Sequence, residues 1–126
     1  MVYKHIVMWK FKEQHNGKSA LENARWMKEQ LEGLVGVVPE LLSAEVGISP
    51  ALEQAASVPS DAAAPSNAAA VPAPAASGEY DACLVSTFAS PEALAAYKVH
   101  PKHKAISAYC KEARLKRLAF DWWSEE

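Results

Sequence analysis

The stretch Val2-Tyr3-Lys4-His5-Ile6-Val7-Met8-Trp9-Lys10-Phe11 alternates along its whole length. In an extended chain Tyr3, His5, Val7, Trp9 and Phe11 share one face, and Val2, Ile6 and Met8 share the other. Both faces are partly apolar. The stretch therefore reads as a strand whose sheet is covered on both sides.

The residues that follow supply the other elements. Ser19-Ala20-Leu21-Glu22 is a capping box that opens a helix. Its apolar positions Leu21, Ala24, Met27 and Leu31 recur every three to four residues, and Gly33 ends it. Pro39 precedes a second strand over 41–48, and a third covers 80–88. Ser90-Pro91 caps a second helix, with proline where its missing N–H costs nothing. That helix reaches Val99, breaks at His100-Pro101 and resumes to Ala113. Residues 115–122 read as a fourth strand. The order is β-α-β-β-α-β, an α+β ferredoxin-like arrangement with two helices on one face of a four-stranded antiparallel sheet. No element is left to cover the second face, and pairing two such sheets in a homodimer would cover it.

Residues 50–79 differ in kind from their surroundings. Five of the chain's eight prolines lie there, Pro50, Pro59, Pro65, Pro72 and Pro74, among many alanines, with no Lys, Arg or aromatic residue. Prolines at this spacing interrupt a long helix, and large apolar groups to offset ordering are lacking. The segment reads as a linker-like loop inserted between the second and third strands of a single domain spanning 1–126.

The formal net charge of −2 gives no reason to propose nucleic acid or an acidic membrane as a partner. A local basic run, from Lys111 through Arg114 to Arg117, lies at the expected end of a helix, where cations complement the carbonyl end of the dipole. Cys83 and Cys110 form no short-spaced motif and read as buried reduced thiols. The N-terminus carries charges inside its apolar run and no small-residue cleavage site, so no signal peptide is expected. No apolar run approaches the ~20 residues of a membrane span. The expected localisation is cytoplasmic.

Tyr97-Lys98-Val99-His100-Pro101-Lys102-His103 gathers a phenol and two of the four histidines, and His5 lies on the first strand. Histidine titrates near neutral pH, so this constellation reads as a candidate acid–base site. In the ferredoxin-like order the first strand is central, which puts His5 under the second helix. A neutral His103 can take a proton from a carbon next to a carbonyl, Tyr97 can donate to the developing enolate oxygen, and His5 can orient His103. Val7 and Trp9, on the same strand face as His5, and His100, beside the helix break, are the expected ligand contacts. No metal and no organic cofactor is required.

The sequence resembles the stress-responsive α/β-barrel family. The matching residues are Lys4-His5-Ile6-Val7, Lys10-Phe11-Lys12 and Gly36-Val37-Val38-Pro39, then Tyr80-Asp81, Phe88, Ser90-Pro91-Glu92-Ala93-Leu94 and Tyr97-x-x-His100-Pro101-x-His103. The resemblance implies a dimer of ferredoxin-like units whose sheets close into a barrel. One plant member of that family closes a linear polyketide thioester by an intramolecular aldol reaction, and His5, Tyr97 and His103 correspond to its functional residues. The implied function is binding of a small apolar or carbonyl compound in an internal pocket, with cofactor-free cyclase or lyase chemistry. The alternative is a noncatalytic dimeric barrel with a structural or stress-protective role.

Overall fold

The computed structural model describes residues 1–57 and 79–125, with no side-chain description for 55–57. The elements in chain order are β1 (Val2–Phe11), β2 (Gln14–His15), β3 (Lys18–Ser19), α1 (Ala20–Glu32), β4 (Ser43–Ile48), α2 (Pro50–Ser57), β5 (Ala82–Phe88), α3 (Pro91–Val99), α4 (Pro101–Ala113) and β6 (Arg114–Ser124). Four strands form one antiparallel sheet in the order β4-β5-β1-β6, so β1 is internal. This is the ferredoxin-like fold that the element order predicts.

Local chemistry explains the helix starts. Ser19 Oγ accepts from Glu22 N at 3.1 Å while Glu22 Oε1 accepts from Ser19 N at 2.9 Å, so the capping box is complete. Ser90 Oγ accepts from Ala93 N at 3.1 Å, ahead of Pro91 in the first turn. His5, Val7, Trp9 and Phe11 are buried on one face of β1, as the alternation requires, and pack with Met27, Leu31, Leu84 and Phe88. Ile6 and Met8 point the other way. Register places Val85 and Phe120 beside Ile6, and Cys83 and Leu118 beside Met8. Leu118 and Phe120 are exposed on that face.

One feature adds to the sequence expectation and a second corrects it. The polar segment after β1 is a small hairpin, β2–β3, turned by Asn16 at φ 57° and Gly17 at φ 74°. Both turn residues are left-handed, the requirement that makes Asn-Gly the favoured pair. The second feature corrects the reading of 50–79 as a loop, because its first eight residues form α2. Pro50 occupies the first helical position, Ser49 Oγ accepts from Ala51 N at 3.2 Å, and Ser49 O accepts from Glu53 N at 3.2 Å. Ala51 is buried and Leu52 packs on the core, so one short turn of apolar contact suffices. The rest of the expected loop, 58–78, lies outside the described residues. The chain leaves and re-enters the hairpin at one place, since Ser49 N donates to Asp81 O at 2.8 Å. Asp81 is buried there, and its carboxylate accepts from Phe11 N at 2.9 Å and from Lys10 Nζ at 3.3 Å.

Candidate active site

The β1 face that carries His5, Val7 and Trp9 meets α4. Positions 103, 106, 107 and 110 of α4 recur at three- and four-residue spacing, which aligns them on one side of the helix. Between these two surfaces lies a cavity of about 50 Å³, with His5, Val7, Trp9, His103, Ile106 and Cys110 on its walls.

β1 and the helix break hold the two imidazoles. The chain is extended at His100, with φ −64° and ψ 135°, between the end of α3 and Pro101 at the start of α4. The break leaves the carbonyl of Lys98 free of a helical partner, and it accepts from His103 Nδ1–H at 3.2 Å. A carbonyl only accepts, so the hydrogen sits on Nδ1 and the neutral ring keeps its lone pair on Nε2. His5 is 3 % exposed, and its Nδ1 lies 2.5 Å from Asp121 Oδ1. Its carbonyl accepts from Ser86 Oγ at 3.1 Å.

Burial dominates the proton affinities. Desolvation pulls His5 below its ordinary value of 6.5, against the hydrogen bond and charge of Asp121, which raise it. Desolvation also pulls His103 below 6.5, opposed by the Lys98 carbonyl and reinforced by His5, Arg117 and Lys98. Both rings are therefore neutral at neutral pH. Burial pushes Tyr97 up to about 12 and Cys110 up to about 11, so both keep their protons. Cys110 is accordingly a thiol rather than a nucleophile at this wall. Both cysteines are free.

The expected site residues separate into three groups. His5, His103, Val7 and Trp9 line the cavity together. Tyr97 is fully buried behind that wall, its ring centroid 4.4 Å from that of His103 and 5.1 Å from that of Phe88. Its hydroxyl has no hydrogen-bond partner among the described residues. His100, expected among the ligand contacts, is instead the N-cap of α4, its Nδ1 accepting from Lys102 N at 3.1 Å. Its position before proline makes it extended, which aims the ring at an orphan helix N–H instead of the cavity. His5 does not orient His103 by hydrogen bond; the Lys98 carbonyl does. The residue missed in the sequence is Asp121, the partner of His5. Its only signal was a carboxylate in an otherwise apolar, aromatic run, Ala119-Phe120-Asp121-Trp122-Trp123.

Among the described residues, no three His, Cys, Asp or Glu side chains are grouped as a metal ion would need. Likewise, no described helix is long and apolar enough to cross a membrane.

The sequence matches the stress responsive A/B barrel domain over residues 3–60 and 68–124. No curated protein matches it significantly. Solved structures with the same fold include a dimeric ferredoxin-like protein of unknown function from Bacteroides fragilis, at 20% identity and TM-score 0.68 over 98% of this chain and 96% of that one. An Arabidopsis thaliana protein is similar at 21% identity and TM-score 0.65, over 98% and 96% of the two chains. The hydroxynitrile lyase of Passiflora edulis is similar at 16% identity and TM-score 0.64, over 99% and 95%.

Proposed function

The chain belongs to the stress responsive A/B barrel domain family, and from that premise we propose that it binds a small carbonyl compound between α4 and the sheet, with His103 as base. The observation that carries this reading is the pair of neutral imidazoles, His5 and His103, on the wall of one small cavity. An imidazole kept neutral and anchored through Nδ1 presents Nε2 as an acceptor for a proton. His103 Nε2 takes the proton from the carbon next to the carbonyl, which leaves an imidazolium and an enolate. The enolate attacks a second carbonyl, and the imidazolium returns the proton to the resulting alkoxide. Carbon–carbon bond cleavage is the same step in reverse. Tyr97, held protonated and with no hydroxyl partner among the described residues, is assigned the role of donor to the ligand oxygen, reached through a water because the ring lies behind the cavity wall.

Size limits the ligand. A water needs roughly 10–15 Å³ of such space, so the cavity admits a molecule of a few heavy atoms, well below the ~300 Å³ of an ordinary ligand pocket. A long polyketide does not fit it without movement of α4. One neighbour of the same fold is named a hydroxynitrile lyase, an analogy of fold only.

We also propose that two copies pair through the open sheet face, where Ile6, Met8, Leu118 and Phe120 lie together. The Bacteroides fragilis relative of this fold is described as dimeric. A second reading, a noncatalytic barrel, draws support from Tyr97, whose ring packs as core between Phe88 and His103. A thermal-shift screen of small ketones, aldehydes and cyanohydrins against wild type and His103→Ala separates the two. A hit that stabilises only the wild type, and whose α-hydrogens exchange with deuterium oxide, supports the base. Hits that stabilise both proteins equally, or none at all, favour the noncatalytic barrel.

A further inference from the structure

The walls of the cavity are chemically unequal. Towards the core they are apolar, with Met27, Leu31 and Leu84. Towards solvent they carry Lys98, Arg114 and Arg117, and among the described residues no aspartate or glutamate lines the cavity. Asp121, the carboxylate nearest in role, is held by His5 and is not on the wall. Among the described residues none of the three cations has an ion-pair partner.

Helix dipoles account for only part of this cluster. Lys98 lies in the last turn of α3 and Arg114 caps the C-terminus of α4, positions where a cation is favoured in any helix. Arg117 lies inside β6, opposite Trp9 in register, on the sheet face that looks at α4. No helix end is served there. Lys98 and Arg117 both act electrostatically on His5 and on His103, and Arg114 and Arg117 both act on Cys110. Two elements, α3 and β6 with its start at the α4 C-cap, thus direct positive charge at one cleft whose floor is apolar. A low-dielectric floor strengthens the field above it, and the planar guanidinium matches a carboxylate with two parallel hydrogen bonds.

We propose that the cavity takes its ligand as an anion, a small carbonyl compound carrying a carboxylate, which Arg117 anchors with Arg114 and Lys98 at the solvent side. The inference rests on the reading of the cavity as a small-molecule site and adds the class of its ligand. A bound carboxylate relieves the repulsion among the three cations, whereas a neutral ligand leaves it in place.

The test uses short oxo acids, each paired with its primary amide of nearly the same shape, such as pyruvate with pyruvamide and levulinate with levulinamide. Binding to the full chain is read by calorimetry, and chemistry separately by exchange of the α-hydrogens with deuterium oxide. At least one carboxylate is expected to bind about tenfold or more tightly than its amide, in the range of a hydrogen bond to a charged group. The preference should shrink in about 0.5 M salt, where exposed charges are screened within a few ångströms. Arg117→Gln, an exposed substitution that leaves the core intact, should remove most of it. Equal binding of acid and amide overturns the inference while leaving a neutral carbonyl ligand open to His103. Failure of every carboxylate to bind, or binding of inorganic phosphate as tight as that of the best carboxylate, also overturns it. A carboxylate preference without hydrogen exchange supports the anion site and removes the base assigned to His103.

Discussion

His5 Nδ1 and Asp121 Oδ1 lie 2.5 Å apart and join the first and last strands through a buried imidazole. The pair are also direct neighbours in the β1–β6 register. Asp121→Ala removes the acceptor and leaves a buried N–H unpaired, a loss of about 1–3 kcal/mol. Urea unfolding should show it as a lower midpoint with an unchanged slope. Asp121→Asn keeps an acceptor oxygen and should recover most of that loss. The proton affinity of His5 should still fall in Asp121→Asn, because the carboxylate charge that raises it is gone. An unchanged midpoint for Asp121→Ala would show that the hydrogen bond contributes nothing net.

The two cavity histidines make stability depend on pH in one direction. Both are held below 6.5 in the fold, chiefly by burial, while the unfolded chain keeps the ordinary value. Just below 6.5 the unfolded chain binds protons that the folded chain refuses, so stability rises with pH there. The contribution is complete above 6.5 and is lost as pH falls through the folded-state values. Glu32, held below 4.5 mainly by Lys28, titrates at lower pH and leaves this window clear. Melting temperature should therefore fall as pH is lowered from about 7 through 6.5, and His103→Gln should flatten that slope. A slope of wild-type size in His103→Gln would contradict the neutral imidazole.

Tyr97→Phe tests an orphan hydroxyl. The group is fully enclosed and has no partner among the described residues, so removing it relieves a desolvation cost. The variant without ligand should be as stable as wild type or more stable, by up to about 1 kcal/mol. A ligand that draws on the hydroxyl should bind it more weakly. Gain of stability with loss of binding is a pattern that simple core packing does not produce. A clear loss of stability would mean that a buried water satisfies the hydroxyl in the free protein.

The hairpin between β4 and β5 should tolerate loss of its long connection. Ser49 N donates to Asp81 O at 2.8 Å, so both ends of the segment are fixed at one point by the sheet itself. Replacing 50–80 with Asn-Gly gives a two-residue turn of the type antiparallel strands favour. The variant loses the burial of Ala51 and Leu52, about 1–2 kcal/mol, and a few degrees of melting temperature. Collapse of the amide spectrum, rather than a small shift in melting, would show that the segment supports the core.

What the sequence made legible is local, and what it hid is relational. Alternation in β1, the Ser19–Glu22 box and Ser90-Pro91 each act through neighbours within a few positions, and their elements form as read. The His100-Pro101 break is likewise a property of two adjacent residues. Asp121 acquires its role only from a register that joins it to a residue 116 positions away. Tyr97 and His103 are six residues apart, yet one falls behind the cavity wall and the other on it, a division set by how α3 and α4 meet at the break. Arg117 looked like part of a helix-end run because β6 begins directly at Arg114, where α4 ends. In α2, the proline count of the whole segment masked a short stretch with its own cap and its own buried alanine.

Dimerisation is testable on a single exposed ring. Phe120 is 64% exposed and lies beside Ile6 on the face that no described helix covers. Leu118, two residues earlier on the same strand, adds to the same patch beside Met8. An apolar surface rimmed by polar strand ends favours burial against a second copy, and two-fold pairing buries the patch twice. Phe120→Lys would place an ammonium group in that interface without an acceptor, a cost of several kcal/mol on association. Sedimentation at micromolar concentration should find wild type as a dimer and Phe120→Lys as a folded monomer. Val99→Lys changes an equally exposed apolar residue at the end of α3, away from the sheet, and should remain a dimer. A wild-type monomer, or a Phe120→Lys dimer, would place the interface elsewhere and leave the open face of the sheet without its expected cover.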